Sequence, residues 1–341
     1  AHIPAVISSS QYAQLSDGWR KVFDERRCAL RQRQQADKIR DGHGDLHLGN
    51  IALLDGHPIP FDCIEFSDEL RCIDVLNDVA FLVMDCDAEQ RADLGLRFLS
   101  RYLEYTGDYA GLAVLPLYLC YRASVRGKVA CILADEQAPN QRDWKDARAY
   151  YALAQRYLHT AQPKLYAIGG PSGSGKSHLA LLGCGAERAI IIRSDATRMR
   201  LSARHPELER YGPEMHRRTY AAMFEAARSS LAAGFSVILD ATFLHPDARA
   251  GLYALKQASG VPLHAYWLDI DTNRLKANIA ARKKHGRDIS EADIQVLEQQ
   301  LRVSKPPTDG RWQRLHSAAF WPSATQAPTS QHTSGGDHEP S

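Results

Sequence analysis

Short apolar runs recur through the second half of the chain, separated by segments whose apolar residues have helical spacing. Four of these runs, at residues 165–169, 189–192, 237–240 and 263–268, have the length and composition of buried strands. Strands that alternate with helices in this way form a parallel sheet with helices on both faces. The pattern therefore predicts an α/β domain over residues 163–310.

The first half has a different, mostly helical pattern. Apolar residues recur at helical spacing over residues 11–39, among many charges, and again over residues 73–160. Two short strands are expected at residues 51–54 and 59–66, on either side of an Asp-Gly turn. This half is predicted to be a separate, mostly helical domain over residues 1–162.

The end of the chain shows neither pattern. Beyond residue 310, Ser, Thr, Pro, Gly and His predominate and no periodicity is evident. Residues 311–341 are therefore predicted to be a disordered tail.

The composition is that of a soluble protein without a strong overall charge. The 341 residues include 42 Lys and Arg against 40 Asp and Glu, so no overall field attracts nucleic acid or an anionic membrane. The most apolar stretch, residues 112–121, contains Pro116 and has about half the length that a bilayer span requires. We therefore expect a buried helix there, and neither a nucleic-acid nor a membrane partner.

The cysteines indicate a reducing compartment. Seven cysteines, an odd number, occur without any Cys-x-x-Cys spacing, unlike a disulfide framework or a zinc site. The start of the chain does not have the pattern of a signal peptide, and it begins at Ala1 rather than Met. We expect a cytoplasmic protein whose true N-terminus has been lost. The oligomeric state cannot be predicted from these features.

A glycine-rich loop lies where the first predicted strand of the second half meets a helical segment. Its residues are Gly170, Pro171, Ser172, Gly173, Ser174, Gly175, Lys176 and Ser177, which match the P-loop pattern Gly-x4-Gly-Lys-Ser. Glycines let successive backbone N–H groups wrap a phosphate, Lys176 would reach the β- and γ-phosphates, and the Ser177 hydroxyl would bind Mg²⁺. The sequence therefore predicts a site for ATP and Mg²⁺; the alternative is a flexible Gly/Ser loop.

Two further strand ends carry candidate site residues. Asp240 ends the apolar strand at residues 237–240, where a Walker-B-type carboxylate would orient Mg²⁺. Asp195 and Arg198 follow the strand at residues 189–192, and there they would accept the proton of an acceptor hydroxyl and hold an anionic group. The alternatives are that Asp240 is a cap or turn former, and that Ser194 or Asp195 caps the following helix.

A basic run follows the last of these four strands. It comprises Arg274, Lys276, Arg282, Lys283, Lys284 and Arg287. Guanidinium groups on a lid stabilise the charge of a transferring phosphoryl group, and Arg282 and Arg287 are the candidates for this role. A solvated helix face is the alternative.

These pieces together resemble the zeta-toxin and gluconate-kinase-like branch of P-loop kinases. The resemblance covers residues 165–305 and rests on the P-loop, the lid arginines, and the groups Ser194-Asp195 with Arg198, Arg218-Thr219-Tyr220, and Asp240-Ala241-Thr242-Phe243 with Arg249. It implies an ATP-dependent kinase, and a further strand after Pro307 where the pattern shows none.

The first half carries a second motif. His43, Asp45 and Asn50 keep the His-x-Asp-x4-Asn spacing of a protein-kinase catalytic loop, and Asp62 follows the next predicted strand. In such a loop the aspartate positions the acceptor hydroxyl and the asparagine binds Mg²⁺. Polar turn residues that cap one another are the alternative.

At these residues the chain resembles the aminoglycoside phosphotransferase superfamily, and more closely a bacterial family that fuses such a domain to an ATP-binding domain. Residues 43–51, 61–66 and 71–82 carry the resemblance. It implies Asp45 as the base and Asn50 with Asp62 as Mg²⁺ ligands, whereas Asp74 and Asp78 could equally be structural.

One part of that family's pattern is missing. A kinase of this type needs an N-lobe with a glycine loop, but Gly18 is the only glycine before Asp41. The expected first half is therefore a kinase-like C-lobe that lacks its N-lobe. We predict that it transfers no phosphate through Asp45.

The whole pattern predicts an ATP-dependent kinase that transfers the γ-phosphoryl group to a small-molecule hydroxyl through the second half. One alternative is an ATP-binding or ATPase regulatory module without a small-molecule acceptor. Another is a toxin-like kinase acting on cell-wall nucleotide sugars, which rests on fold analogy alone. The sequence does not identify the acceptor.

Overall fold

The first half of the chain is largely helical, as expected. The computed structural model describes residues 5–138, 141–159, 162–285, 293–303 and 305–322, without the side chains of residues 282–285 and 303. In the first half the helices are α1 (Ser9–Gln35), α2 (Asp68–Arg71), α3 (Val75–Ala88), α4 (Ala92–Thr106), α5 (Leu115–Asp135) and α6 (Lys145–Leu158). The strands are β1 (Ile39–Asp41), β2 (Ile51–Leu54), β3 (His57–Pro60) and β4 (Cys72–Asp74).

Helix α1 is the exposed helix that the pattern predicts. A reciprocal pair of hydrogen bonds between Ser8 and Gln11 caps its start. Only Leu15 and Arg33 are buried along it. The Arg33 guanidinium lies between two carboxylates, at 2.6 Å from Asp74 and 2.9 Å from Asp108, and so ties the end of α1 to the helical core.

The predicted hairpin forms with a shorter second strand than expected. Strands β2 and β3 pair antiparallel around Asp55 and Gly56, whose φ angles of 51° and 76° suit a tight hairpin turn. The expectation of a strand over residues 59–66 is wrong, because β3 ends at Pro60. Asp62 has a left-handed backbone with φ of 60°, which turns the chain out of the extended conformation.

The apolar stretch around Pro116 is a buried helix, as predicted. Pro116 lies in the first turn of α5, where its missing N–H costs no helical hydrogen bond. Leu115, Leu117, Leu119 and Cys120 are buried. Among the described residues, no helix is both long and apolar enough to cross a membrane. All seven cysteines are free.

The second half contains the predicted parallel sheet with its helices. Its strands are β5 (Leu165–Gly169), β6 (Ala189–Arg193), β7 (Ser236–Asp240), β8 (Leu263–Leu268) and β9 (Trp312–Leu315). Its helices are α7 (Lys176–Glu187), α8 (Ser194–Arg204), α9 (Pro213–Ala232), α10 (Pro246–Ser259), α11 (Thr272–His285) and α12 (Ile294–Val303). The strand order is β6-β7-β5-β8-β9, and every neighbouring pair is parallel.

The fifth strand corrects the predicted tail. β9 pairs with β8 inside the range 311–341, so the expectation of disorder is wrong for residues 312–315. Trp312 is 6% exposed and packs against Phe243 and Trp267, because its ring fills the sheet edge. The strand has four residues and lies in a polar segment, so the spacing of apolar residues does not predict it. Residues 323–341 lie outside the described residues.

Buried side chains of the two halves form one continuous core. Leu99 and Leu103 of α4 belong to the same cluster of contacting residues as Ile190 and Ile192 of β6. β6 is the outer strand of the sheet, and α4 lies along it. The expected boundary at 162/163 thus separates two patterns of secondary structure that share a single core.

Candidate functional site

The predicted P-loop connects β5 to α7 at the carboxyl end of the central strand. Gly170, Gly173 and Gly175 have φ angles of 136°, 82° and 92°, a region that favours glycine. A Cβ at Gly173 would lie 2.7 Å from the Leu275 carbonyl oxygen. The loop therefore has the curled backbone, ending at the N-terminus of α7, that can surround a phosphate.

Three of the predicted site residues meet at the end of this loop. Ser177 Oγ donates to Asp240 Oδ2 at 2.7 Å, and Lys176 Nζ donates to the Pro171 carbonyl oxygen at 2.8 Å. Asp240 is 4% exposed. Burial raises the pKa of the Asp240 carboxyl, although the charge of Lys176 and the hydrogen bond from Ser177 oppose the rise.

The oxygens at this point fit Mg²⁺. A serine hydroxyl and an aspartate carboxylate are the hard oxygen ligands that Mg²⁺ prefers, and one or two protein ligands beside phosphate oxygens are usual. The curled loop of residues 170–177 fits the phosphates that would supply the other ligands. The residues present thus fit both predicted groups.

Asp195 and Arg198 lie on α8, directly after β6. Arg198 Nη1 donates to Asp195 Oδ1 at 2.8 Å, and the Arg198 guanidinium lies 5.3 Å from the centre of the Tyr211 ring. The residue that precedes the helix is Arg193, and its side chain makes no capping hydrogen bond. The alternative that Ser194 or Asp195 caps α8 is therefore wrong, since both lie in its first turn.

A cavity of about 580 Å³ joins the P-loop to these residues. Lys176, Ser177 and Asp240 line it, and so do Asp195 and Arg198. The phosphate-binding loop and the predicted acceptor residues thus open into the same space.

Four residues that the sequence did not indicate also line this cavity: Arg193, Tyr211, His216 and His245. The ring centres of the two histidines are 5.1 Å apart. Burial lowers the pKa of His216, and the nearby His245 and Arg198 lower it further. No motif marks these residues, because they come from different elements and meet only in the folded chain.

Helices α11 and α12 contact the tip of the P-loop. Ser172 N–H donates to Gln300 Oε1 of α12, and Asn278 Nδ2 of α11 donates to the Gly173 carbonyl oxygen, both at 2.8 Å. The sequence did not point to Asn278 or Gln300, because the basic residues of this segment were the ones that matched a role in phosphoryl transfer. Arg282 lies in α11 but its side chain is outside the described part of the chain, as is the whole of Arg287. Their lid roles stay predictions.

The second motif forms an ordered loop in the first half. Asn50 Nδ2 donates to Asp45 Oδ2 at 3.2 Å, and the Asp45 side chain is 40% exposed. Asp78 accepts the N–H groups of His43 at 2.8 Å and Gly44 at 2.9 Å, so it supports the loop from behind. Asp62 lies exposed in the turn after β3. The structural alternative for Asp78 is confirmed.

A family model matches part of the second half of the chain. Residues 165–307 match the model of a family described as an AAA domain. An uncharacterized protein of Mycobacterium tuberculosis is 38% identical over 220 residues, which cover 62% of this chain and 44% of that protein. The chain thus spans less than half the length of the curated relatives it matches.

Solved structures of low sequence identity are also similar to this chain. A sugar kinase of Janibacter sp. HTCC2649 is 18% identical with a TM-score of 0.35, over 45% of this chain and 84% of that one. A gluconokinase of Sinorhizobium meliloti 1021 is 20% identical with a TM-score of 0.34, over 47% and 85%. Residues 165–307 are thus similar to the AAA domain family, and they contain the P-loop and four of the five strands of the parallel sheet.

Proposed function

We propose that the second half is an ATP-dependent kinase that transfers the γ-phosphoryl group to a hydroxyl of a small molecule. The observation that carries the proposal is the cavity that both the Ser177–Asp240 pair and the Asp195–Arg198 pair line. One pair suits the metal and phosphates of ATP, and the other suits a hydroxyl acceptor. The cytoplasmic location and the absence of nucleic-acid and membrane partners remain predictions.

The P-loop would hold the triphosphate. The curled backbone and the N-terminus of α7 would surround the phosphates, and Lys176 would leave the Pro171 carbonyl oxygen for the β- and γ-phosphates. Ser177 and Asp240 would hold Mg²⁺, which when bound neutralises charge on the β- and γ-phosphate oxygens. The burial of Asp240 keeps this charge interaction away from bulk water.

Asp195 would act on the acceptor. Its carboxylate takes the hydroxyl proton while the acceptor oxygen forms a bond to the γ-phosphorus, and the bond from that phosphorus to the β,γ-bridging oxygen breaks. ADP leaves with that oxygen, and the acceptor carries the phosphoryl group. Arg198 holds Asp195 in place at 2.8 Å, and we assign it an anionic group of the acceptor as well.

A metabolite screen tests this function. The protein is incubated with a cell extract, ATP and Mg²⁺, and mass spectrometry follows any compound that gains one phosphoryl group. We expect such a compound with the native protein and none with Lys176→Ala, which serves as the blank. Asp195→Asn should slow the same reaction by about 100-fold or more. Equal phosphorylation by Lys176→Ala would refute the kinase assignment.

For the first half, the proposal is a C-lobe similar to that of aminoglycoside phosphotransferases, without activity of its own. The Asp45–Asn50 hydrogen bond and the two hydrogen bonds that Asp78 accepts from the loop support this proposal. Asn50 and Asp62 are proposed as remnants of a metal site. Asp45→Ala should leave phosphorylation in the metabolite screen unchanged, and loss of turnover would contradict this assignment.

A regulatory ATPase is the second candidate, because one core joins the P-loop half to the helical half. In that case ATP binding or hydrolysis would change contacts between the halves, without an acceptor. Phosphate release that needs no acceptor and is unchanged in Asp195→Ala favours this candidate. ADP formation that rises with an added metabolite, without an equal release of phosphate, and that falls in Asp195→Ala favours the kinase.

A further inference from the structure

Helix α4 of the first half occupies the open edge of the sheet in the second half. Within the part of the chain that the structure describes, β6 has only β7 as a strand neighbour, so the backbone groups of its outer edge need other partners. The Ile191 N–H, in the middle of β6, donates to Ser100 Oγ of α4 at 3.0 Å. The strand that leads into the candidate acceptor site is thus held by the other half of the chain.

One turn further along α4, Glu104 binds the side chain of Arg193, the last residue of that strand. Arg193 Nε and Nη2 donate to the two oxygens of the Glu104 carboxylate, at 2.5 and 2.6 Å. The Glu104 side chain is 4% exposed and that of Arg193 is 19% exposed. A bidentate pair fixes the plane of a guanidinium as well as its position. Arg200 of α8 adds a third tie by donating to the Glu104 carbonyl oxygen at 2.8 Å.

Arg193 lies beside the candidate metal ligand at the cavity. In the register of the sheet it is opposite Asp240, the candidate metal ligand on β7. It lines the cavity together with Lys176 and Asp195. Its guanidinium is thus a fixed positive charge beside the position where phosphoryl transfer would take place.

We propose that Glu104 is a positioning residue of the kinase, which orients Arg193 so that its guanidinium stabilises the charge of the transferring phosphoryl group. This inference rests on the function proposed above. A charge that is already oriented costs no reorganisation during the reaction, whereas an untethered arginine samples many rotamers. The P-loop site is therefore complete only with a helix from the first half.

Steady-state formation of ADP from ATP, measured with Mg²⁺ and the extract used in the metabolite screen, tests the proposal in the whole protein. Glu104→Gln removes the charge that holds Arg193, and should lower kcat by about 10- to 100-fold while the KM for ATP changes less than about threefold. The matched control is Arg188→Ala, which removes another ion pair between the halves, to Asp87 at 2.8 Å, at the opposite end of β6. The control should keep its kcat.

A chemical rescue separates positioning from simple attachment of the halves. Arg193→Ala leaves a space beside Glu104, and guanidinium added at non-denaturing concentration should occupy it and restore part of kcat. The double variant Arg193→Ala with Glu104→Gln should show no rescue. Rescue of equal size in both variants, or in neither, overturns the proposal.

Two variants keep the outcome clear. If Glu104→Gln does not fold, Arg193→Lys preserves a cation for Glu104 but not the bidentate plane; a lowered kcat supports the proposal, and an unchanged kcat overturns it. Lys176→Ala tests the proposed function separately. If Lys176→Ala abolishes turnover while Glu104→Gln stays within about twofold of the native kcat, the positioning role fails and the kinase assignment survives. If Lys176→Ala has native turnover, both fail.

Discussion

Single residues of the P-loop site are of two kinds. The positions of Lys176, Ser177 and Asp240 were predictable, because a local motif or a strand end fixes where each lies at the carboxyl end of the sheet. Arg193 and His216 were not, because their positions at the cavity depend on β6 and α9 meeting in the folded chain. Site residues can be predicted from the sequence where their spacing along the chain is short and fixed. They cannot be predicted where only long-range packing brings them together.

Asp240→Asn should lower Mg²⁺-dependent turnover without lowering the stability of the fold. Loss of the carboxylate should lower the Mg²⁺-dependent turnover of ATP by about 10- to 100-fold. The free energy of unfolding at neutral pH should stay equal or rise, because burial disfavours the charged form of Asp240, as its raised pKa shows. Turnover assays over a range of Mg²⁺ concentrations and urea unfolding check the two parts. Native Mg²⁺-dependent turnover would contradict the assignment of Asp240.

His216 should make stability depend on pH. Its pKa in the folded protein is below the ordinary 6.5, because of burial and the nearby His245 and Arg198. The unfolded chain therefore binds more protons between the two values, and the free energy of unfolding should fall as the pH drops below 6.5. Urea unfolding above and below that pH should show a smaller fall in His216→Phe. An equal fall in the variant would assign the pH dependence to other groups.

At the scale of elements, the apolar pattern predicted four strands of the parallel sheet. It did not predict the edge strand β9, and it made β3 of the hairpin too long. The four apolar strands were predicted, since each is buried on both faces. β9 was missed because its sequence Trp-Gln-Arg-Leu has a half-polar pattern. β3 was overextended because the turn at Asp62 depends on a left-handed backbone that hydrophobicity does not report.

A side chain at one glycine of α7 should disturb the packing of the segment after β9. Trp321 packs so closely that a Cβ at Gly183 would lie 2.3 Å from its ring, so Gly183→Ala should destabilise the protein by about 1–3 kcal/mol. Gly185→Ala, two residues on, meets only the Asp93 Cβ at 3.2 Å and should be neutral or stabilising by up to about 1 kcal/mol. Chemical denaturation of both variants measures the difference. Equal stability of the two variants would show that Trp321 does not pack there in solution.

At the scale of the molecule, the two halves behave as one packed body in the described residues. Composition suggested two domains, but α4 shares its core with β6 and its polar groups with Ile191 and Arg193. Such contacts join residues about 90 positions apart. No local pattern announces them, so the sequence could not predict how closely the halves are joined.

Substitution of Asp87 should show whether the two halves unfold together. It is 5% exposed and accepts hydrogen bonds from Tyr157, Arg156 and Arg188, which hold its pKa below the usual value despite burial. Asp87→Ala should lower the free energy of unfolding by about 1–3 kcal/mol. Hydrogen exchange should show both halves losing protection at the same denaturant concentration.

The matched variant is Arg27→Ala, which removes an exposed ion pair to Asp24 within α1 and should change stability by less than about 0.5 kcal/mol. Loss of protection in the two halves at well-separated denaturant concentrations would contradict a shared core.

Calorimetric titration with ATP and Mg²⁺ decides whether residues 170–177 hold a triphosphate. We expect one ATP to bind per native chain, and Lys176→Ala to lose at least about 100-fold in affinity, because a cation that contacts two phosphates is removed. The melting temperature of Lys176→Ala without ATP should match that of the native protein. Binding of equal affinity in both proteins, or no binding in the native one, would contradict the phosphate-binding role of the loop.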